Sequence, residues 1–291
     1  MADRISGEKN RTKKGTLYLV GTPIGNLSDI SERAVKVLSE ADFIAAEDTR
    51  NSLRLLTHFG IQKPLISYFE HNKVERGQEI VERLIAGETA ALVTDAGMPA
   101  ISDPGEDLVR LCAENSIPVT TVPGPCAAIT ALTLSGLSTI RFTFEGFLSA
   151  NKSERRCALA ELSDEKRTMI FHEAPHKLRA TLSDMAVAFG EGRKIALCRE
   201  LTKLNEEIIR LTLGEAVAYY AQNDPRGEYV LVVEGASSKN SVSFWENMSI
   251  REHVTHYITS GMSKNDAIKA AAKDRNLPKN SVYQEVLDLK V

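Results

Sequence analysis

Two carboxylates, two prolines and two glycines fall within the eleven residues 95–105 (DAGMPAISDPG), directly after the apolar run 90–93 and directly before helix-forming residues. A buried strand that breaks into such a loop places rigid backbone and acidic groups at the carboxyl edge of a sheet, where open α/β folds bind ligands. Connections in α/β units usually take about 2–6 residues, so this loop exceeds what reversing the chain requires. Gly97 leaves backbone uncovered, Pro99 fixes it, and Asp95 and Ser102 offer polar contacts. Other strand ends carry chemistry as well. Glu47, Asp48 and Arg50 follow the apolar run 41–46 and offer acid, base and cation at one place. GTPIGNL at 21–27 occupies the position of a dinucleotide-binding turn, but it lacks the G-x-G-x-x-G spacing, and Pro23 removes one amide. No Gly-Lys-Ser/Thr follows, so the ligand expected here does not depend on a pyrophosphate cradle.

His172-Glu173-Ala174-Pro175-His176 matches the H-E-x-x-H string of zinc proteases. That chemistry needs both histidines one turn apart on a helix. Here a strand precedes the string and Pro175 disfavours helix at Ala174, so the segment reads as another strand-end loop, with Pro175-His176 opening the next helix. No metal is expected. With VPGPCAA at 122–128 and RELTK at 199–203, six strand-end loops are unusual together, and loops at the edges of two sheets can converge on one cleft.

The elements that must position them form a regular alternation. Apolar runs at 16–20, 41–46, 64–68, 90–93 and 118–122 alternate with helical spacing at 30–39, before Gly60, at 74–86 and at 126–134, which indicates a mainly parallel sheet covered by helices. A break near 135–139 precedes a second α/β domain. Its strands are expected at 168–171, 194–198, 207–213 and 228–233, with helices at 177–189 and 215–221. The closeness of the last two strands implies some antiparallel pairing, hence a mixed sheet. The expected organisation is a flexible tail at 1–14, an N-terminal α/β domain at 15–138, a C-terminal α/β domain at 139–236, a polar linker at 237–243 and a helical extension at 243–291. The extension, with helices at 263–275 and 281–289 about a Leu277-Pro278 turn, has the form of a helix-turn-helix unit or of a plain packing pair.

Composition bounds the function. The chain has 291 residues, 43% of them hydrophobic, and a formal net charge of −3, so any nucleic-acid contact must come from a local patch. The four cysteines contain no C-x-x-C pair, which argues against a disulfide framework or thiolate zinc site and fits a reducing cytoplasm. No apolar run approaches the roughly 18–20 residues that span a bilayer.

In this order the loops closely resemble the tetrapyrrole methylase superfamily, S-adenosylmethionine enzymes with two α/β domains and a cofactor cleft between them. GTPIGNL, AEDTR (46–50), TDAGMPAISDPG (94–105), VPGPCAA, FEGFL (144–148), EAPHKL (173–178), RELTK and RGEYVLVV (226–233) resemble the bacterial small-subunit ribosomal RNA methyltransferase I subgroup. Cys126 departs from it, standing where serine is expected. The resemblance implies 2′-O-methylation of a decoding-site cytidine in 16S rRNA, the small ribosomal subunit as partner, and a homodimer. It also implies a cofactor held by Pro23, Ile24, Asp95, Gly97, Met98, Pro99, Cys126, Ala127, Phe171, His172, Arg199 and Glu228. Methyl transfer to a ribose hydroxyl requires alignment and help with a proton. Position at the strand ends suggests Asp48 as base or orienter, Arg50 as phosphate anchor and Lys203 as a second polar group. Arg141, Lys152, Arg155, Arg156, Lys264, Lys269, Lys273 and Lys279 are candidates for gripping RNA phosphates. Two other functions share these features: methylation of a tetrapyrrole in the same cleft, and a non-catalytic nucleic-acid-binding regulator using the terminal helices.

Overall fold

The structure, a computed structural model, describes residues 11–236, 245 and 248–287. Residues up to Gly235 form one compact unit, and those from Ala236 form a second.

The larger unit holds two five-stranded sheets. Strands β1 (Leu17–Val20), β2 (Phe43–Ala46), β3 (Leu65–Ser67), β4 (Ala90–Val93) and β5 (Val119–Val122) build the first, in the order β3-β2-β4-β1-β5, with every pairing parallel. Side chains alternate between its faces along each strand. Leu17, Phe43, Ala45 and Leu92 pack on Ile80, Val81 and Leu84 of α3 (Lys73–Ile85) and on Leu108 and Cys112 of α4 (Gly105–Glu114). Tyr18, Val20, Ile44, Ala46 and Val93 pack on α1 (Glu32–Glu40) and on Leu56 of α2 (Thr49–His58). Both faces are covered at β1, β2 and β4, which is why those three strands are almost wholly apolar, whereas Thr120 and Thr121 of the edge strand β5 are exposed. All the expected strand-end loops of this sheet therefore emerge along one edge. Residues 1–10 of the expected tail lie outside the described residues. Thr12 donates to Glu40, and the Lys13 backbone binds both Tyr18 and Thr89, so the chain is held against the sheet from Thr12 onward.

Strands β6 (Phe142–Phe147), β7 (Thr168–Glu173), β8 (Lys194–Arg199), β9 (Glu207–Thr212) and β10 (Tyr229–Val233) form the second sheet, in the order β6-β7-β10-β8-β9. Only β6 and β7 run parallel there, so the sheet is mixed as expected. One face packs on α6 (Lys152–Glu161), α7 (Pro175–Phe189) and α8 (Leu213–Gln222) through Leu159, Leu178, Met185 and Leu213. The other face is covered by α5 (Ala127–Ser135), whose Ala128, Ala131 and Leu132 lie on Ile170, Ala196, Val230 and Val232. The helix that leaves the last strand of the first sheet thus packs on the second, and its small residues bring it close. Helix α6 has no counterpart in the sequence reading. It is capped by the Asn151 side chain, which accepts from the Ser153 amide at 2.9 Å.

Two corrections arise here. Arg155, a candidate phosphate contact, is buried: its guanidinium donates to Asp184 at 2.7 and 2.9 Å, while Arg156 takes the other carboxylate oxygen from the half-exposed side. Breaking a buried pair by removing one partner leaves an uncompensated charge, so Arg155 serves the fold. His172 and Glu173 belong to β7 rather than to a loop, and His176 lies beyond Pro175 in the first turn of α7, so the two histidines share no helix.

The smaller unit consists of α9 (Ile250–Thr259), α10 (Lys264–Asp274) and α11 (Lys279–Glu285) around Val254, Ala267, Ile268, Ala271, Val282 and Val286. The Ser263 hydroxyl accepts from the Asp266 amide and starts α10 where the sequence placed it. Helix α9, unanticipated, carries a full capping box between Ser249 and Glu252. The expected linker at 237–243 lies outside the described residues. Among the described residues no helix is long and apolar enough to cross a membrane.

Candidate active site

A cavity of about 420 Å³ opens between the edge loops of the first sheet and the α5 face of the second. Ile24, Gly97, Met98 and Ile101 form one wall; Cys126, Ala127 and Ala128 form the floor; Phe144, Phe147, His172, Cys198, Leu201 and Val230 form the far side, with Lys203 and Glu228 at the polar end. Its lining is mostly apolar with a few polar groups, the usual make-up of a small-molecule site.

Several local devices build it. Gly21 and Gly124 approach so closely that a Cβ on either would meet the other's backbone at 2.7–2.8 Å, which locks the first-strand loop against the PGP turn. Thr22 and Gly97 form an isolated antiparallel bridge, Thr22 N to Gly97 O at 2.9 Å and Gly97 N to Thr22 O at 3.2 Å. Gly97 was expected to present its backbone to a ligand. Both of its backbone groups are spent on Thr22, and the residue contributes instead a φ of 88° and the room left by its missing Cβ. The long loop is fastened by Asp103, which sequence reasoning passed over: its carboxylate accepts from the amides of Ala100 at 3.0 Å and Gly105 at 2.7 Å. In β6 a bulge between Phe144 and Gly146, with φ of 64° at Gly146, breaks the strand alternation. Phe144 and Phe147 then both reach His172, with ring centroids 5.2 and 5.3 Å away in edge contact.

The expected site residues separate into groups. Ile24, Gly97, Met98, Cys126, Ala127, His172, Lys203 and Glu228 line the cavity. Pro23 and Asp95 line a second hollow of about 290 Å³ that borders the same two loops, together with Thr22, Gly25, Asn51, Arg54 and Thr94. Phe171 does neither: it is fully buried on the opposite face of its sheet, among Met185, Leu178 and Leu231, because adjacent strand residues point to opposite faces. Arg199 follows the cavity-lining Cys198 and is turned away for the same reason, its guanidinium lying near Glu207 and Asn205. Pro99 and Ser102 line neither space; the Ser102 hydroxyl lies beside Gly146. Phe144, Phe147, Glu173, Leu201 and Val230 are lining residues the sequence reading missed; Phe144 and Phe147 are turned inward by the β6 bulge, and Val230 by strand alternation.

Electrostatics differ across the site. The Asp48 carboxylate accepts from the Arg50 guanidinium at 2.7 and 3.1 Å and from the Arg50 amide at 2.8 Å, which caps α2 and holds its pKa down at about 2. Lys203 donates to Glu228 at 2.7 Å and Glu200 at 2.9 Å. Burial works against its charge, but these two carboxylates outweigh it and keep its pKa above the ordinary lysine value. Asp95 is pushed upward by burial and by the charge of Glu47. His172 is pushed downward by burial, partly opposed by Glu228, and its buried Nε2 has no protein partner. Among the described residues, no group of three His, Cys, Asp or Glu side chains could hold a metal ion.

Two sheets whose edge loops enclose one cavity are the architecture of the tetrapyrrole (corrin/porphyrin) methylases, and residues 16–217 match the model of that family. Over 277 residues the chain is 50% identical to "Ribosomal RNA small subunit methyltransferase I" of Halalkalibacterium halodurans, covering 94% of this chain and 96% of the relative. It is 46% identical over 286 residues to the Bacillus subtilis protein of the same name, covering 97% and 98%. Among solved structures the fold is similar to diphthine synthase (TM-score 0.59, 14% identity, covering 76% of this chain and 90% of that one). It is likewise similar to a cobalt precorrin-4 methyltransferase (TM-score 0.56, 16% identity, covering 76% and 95%). The chain belongs to the tetrapyrrole methylase family and, within it, to the group of ribosomal RNA small subunit methyltransferase I.

Proposed function

We propose that this protein uses S-adenosylmethionine to methylate the 2′-hydroxyl of a decoding-site cytidine in 16S rRNA, acting in the cytoplasm as a homodimer on the small ribosomal subunit. The observation that carries the reading is the cavity between the sheets, present in a chain 41–50% identical over nearly its whole length to proteins named for that RNA. The residues fit the donor chemically. The apolar floor of Cys126, Ala127 and Ala128 suits an adenosine face, and the orphaned Nε2 of His172 is a buried polar atom awaiting a partner. Lys203, Glu200 and Glu228 form a charged rim suited to an amino-acid portion. When bound, S-adenosylmethionine supplies an electrophilic methyl group, and the protein's part is alignment, exclusion of water and removal of a proton.

Asp48 and Arg50 take the positioning roles. A carboxylate with a pKa of about 2 is a weak base at neutral pH, so Asp48 orients Arg50 and caps α2. The Arg50 side chain is 87% exposed beyond that pair and free to meet a phosphate on its outer side. Lys203, protonated between two carboxylates, is no base either.

The test is to incubate the purified protein with labelled S-adenosylmethionine and either small ribosomal subunits or a porphyrinoid, then map ribose methylation by mass spectrometry. One 2′-O-methylcytidine in 16S rRNA is expected. Label entering the porphyrinoid, or no RNA product, overturns the reading.

A further inference from the structure

We propose that the hollow beside the donor cavity receives the nucleoside to be methylated, and that Asp95 is the group that takes the proton from its hydroxyl. The assignment rests on the methyl-transfer reading above. Residues 96–98 line the donor cavity while Asp95 lines the hollow of about 290 Å³, so consecutive residues of one loop face the two spaces. A proton acceptor for methyl transfer must stand where two such spaces meet, because the acceptor oxygen has to reach the donor's methyl carbon and the base together.

The neighbouring carboxylates are already committed. Glu47 accepts from the Thr94 hydroxyl at 2.7 Å, Asp48 is paired with Arg50, Glu200 and Glu228 with Lys203, and Glu173 is buried against Lys177 and Thr181. Asp95 has no ion-pair partner among the described residues. Among the described residues it accepts only the Asp48 amide at 3.2 Å and the Asn51 side-chain amide at 3.4 Å, two long bonds that leave its basic lone pairs available. The charged groups around it are Glu47, Asp48 and Arg50 from the β2–α2 corner and Arg54 from α2, while the 21–27 loop facing it carries none. Burial and Glu47 raise its basicity, as a general base requires. Arg54, in the same hollow, is placed to meet an acceptor phosphate.

In the step, the hydroxyl proton passes to an Asp95 oxygen while the hydroxyl oxygen's electron pair forms the new O–C bond. The carbon's bond to the donor sulfur breaks with its electrons remaining on sulfur, and Asp95 later returns the proton to water.

Kinetics of full-length wild type, Asp95→Asn, Asp95→Glu and Asp48→Asn on small ribosomal subunits, with calorimetry of S-adenosylmethionine binding, test the assignment. Asp95→Asn is expected to lose about 10²–10⁴-fold in kcat, the usual share of general-base help. Its donor affinity should stay within about threefold of wild type, since the carboxylate acts in the transition state rather than in donor binding. Asp95→Glu should recover part of the rate, and Asp48→Asn should retain more than Asp95→Asn. The wild-type kcat should fall with acid, and that limb should disappear in Asp95→Asn. Near-wild-type kcat in Asp95→Asn overturns the assignment, as does donor affinity falling in step with kcat. A wild-type protein that binds the donor but methylates no RNA overturns the functional reading instead.

Discussion

His172 shows how one residue's surroundings set its charge. Its ring is held between Phe144 and Phe147, and burial favours the neutral form, so its pKa in the fold lies below the ordinary histidine value near 6.5. Above about pH 6.5 both folded and unfolded chains hold it neutral and the fold loses nothing. As pH falls from there through the folded value, the unfolded chain takes up the proton first, and stability declines. Urea unfolding at pH 7.5 and 5.5 should therefore show the wild-type midpoint falling further than that of His172→Phe; parallel falls would contradict the account. The sequence placed His172 at the site but in a loop with a metal-like string. What it could not show was the bulge at Gly146, a single residue of φ 64° that turns two phenylalanines onto the same ring. Phe171 and Arg199 turn their side chains out of the cavity for the converse reason: they lie in or at the ends of strands whose alternation points them elsewhere.

At the scale of elements, strands were legible wherever an apolar run is buried on both faces, as in 90–93, because little besides a central parallel strand needs four such residues in succession. Helices α6 and α9 were not, since their surfaces are largely charged or polar and their burial comes from a few positions; only the caps at Asn151 and Ser249 announce them. Helix α5 was seen in the sequence, but not which sheet it serves. It ties the two sheets together, and Ala131, fully buried, meets a strand surface built of small and β-branched residues. Ala131→Leu should overpack that contact and cost about 1–3 kcal/mol. Because Cys126 and Ala127 at the start of α5 floor the cavity, donor affinity should fall more than in a variant of equal stability loss on the far side of the first sheet, such as Val81→Ala. Thermal melts paired with calorimetry separate the two; equal affinities would mean that the helix shift does not reach the floor. Strain lies beside the same cavity. Of six described non-glycine residues with positive φ, Ala100, Ser102, Glu200 and Thr202 sit in the two loops around it, and such conformations persist only where surrounding contacts enforce them.

For the molecule as a whole, the division at Gly235 separates two bodies with their own cores. The larger one contains both sheets, all the described lining of the donor cavity and Asp95, so the groups named for the proposed methyl transfer lie within it. The smaller one closes a core of alanines and valines with three helices, and Arg275 secures its start by donating to the Trp245 and Met248 carbonyls and to His253. Lys269 and Lys273 stand on α10, and Lys279 opens α11. With a chain charge of −3, affinity for a polyanion has to come from such local cations, and it weakens steeply with salt. Ending the chain at Gly235 should leave a protein that melts cooperatively and binds S-adenosylmethionine within about threefold of the full chain, because uniform donor binding is untouched. Its KM for small ribosomal subunits should rise by at least about tenfold, roughly the 1.4 kcal/mol that a few phosphate contacts provide, and its rate should depend less on salt. Full activity of the shortened protein on the subunit would show that the terminal helices only pack. Lost donor binding would show that the larger body is not self-sufficient.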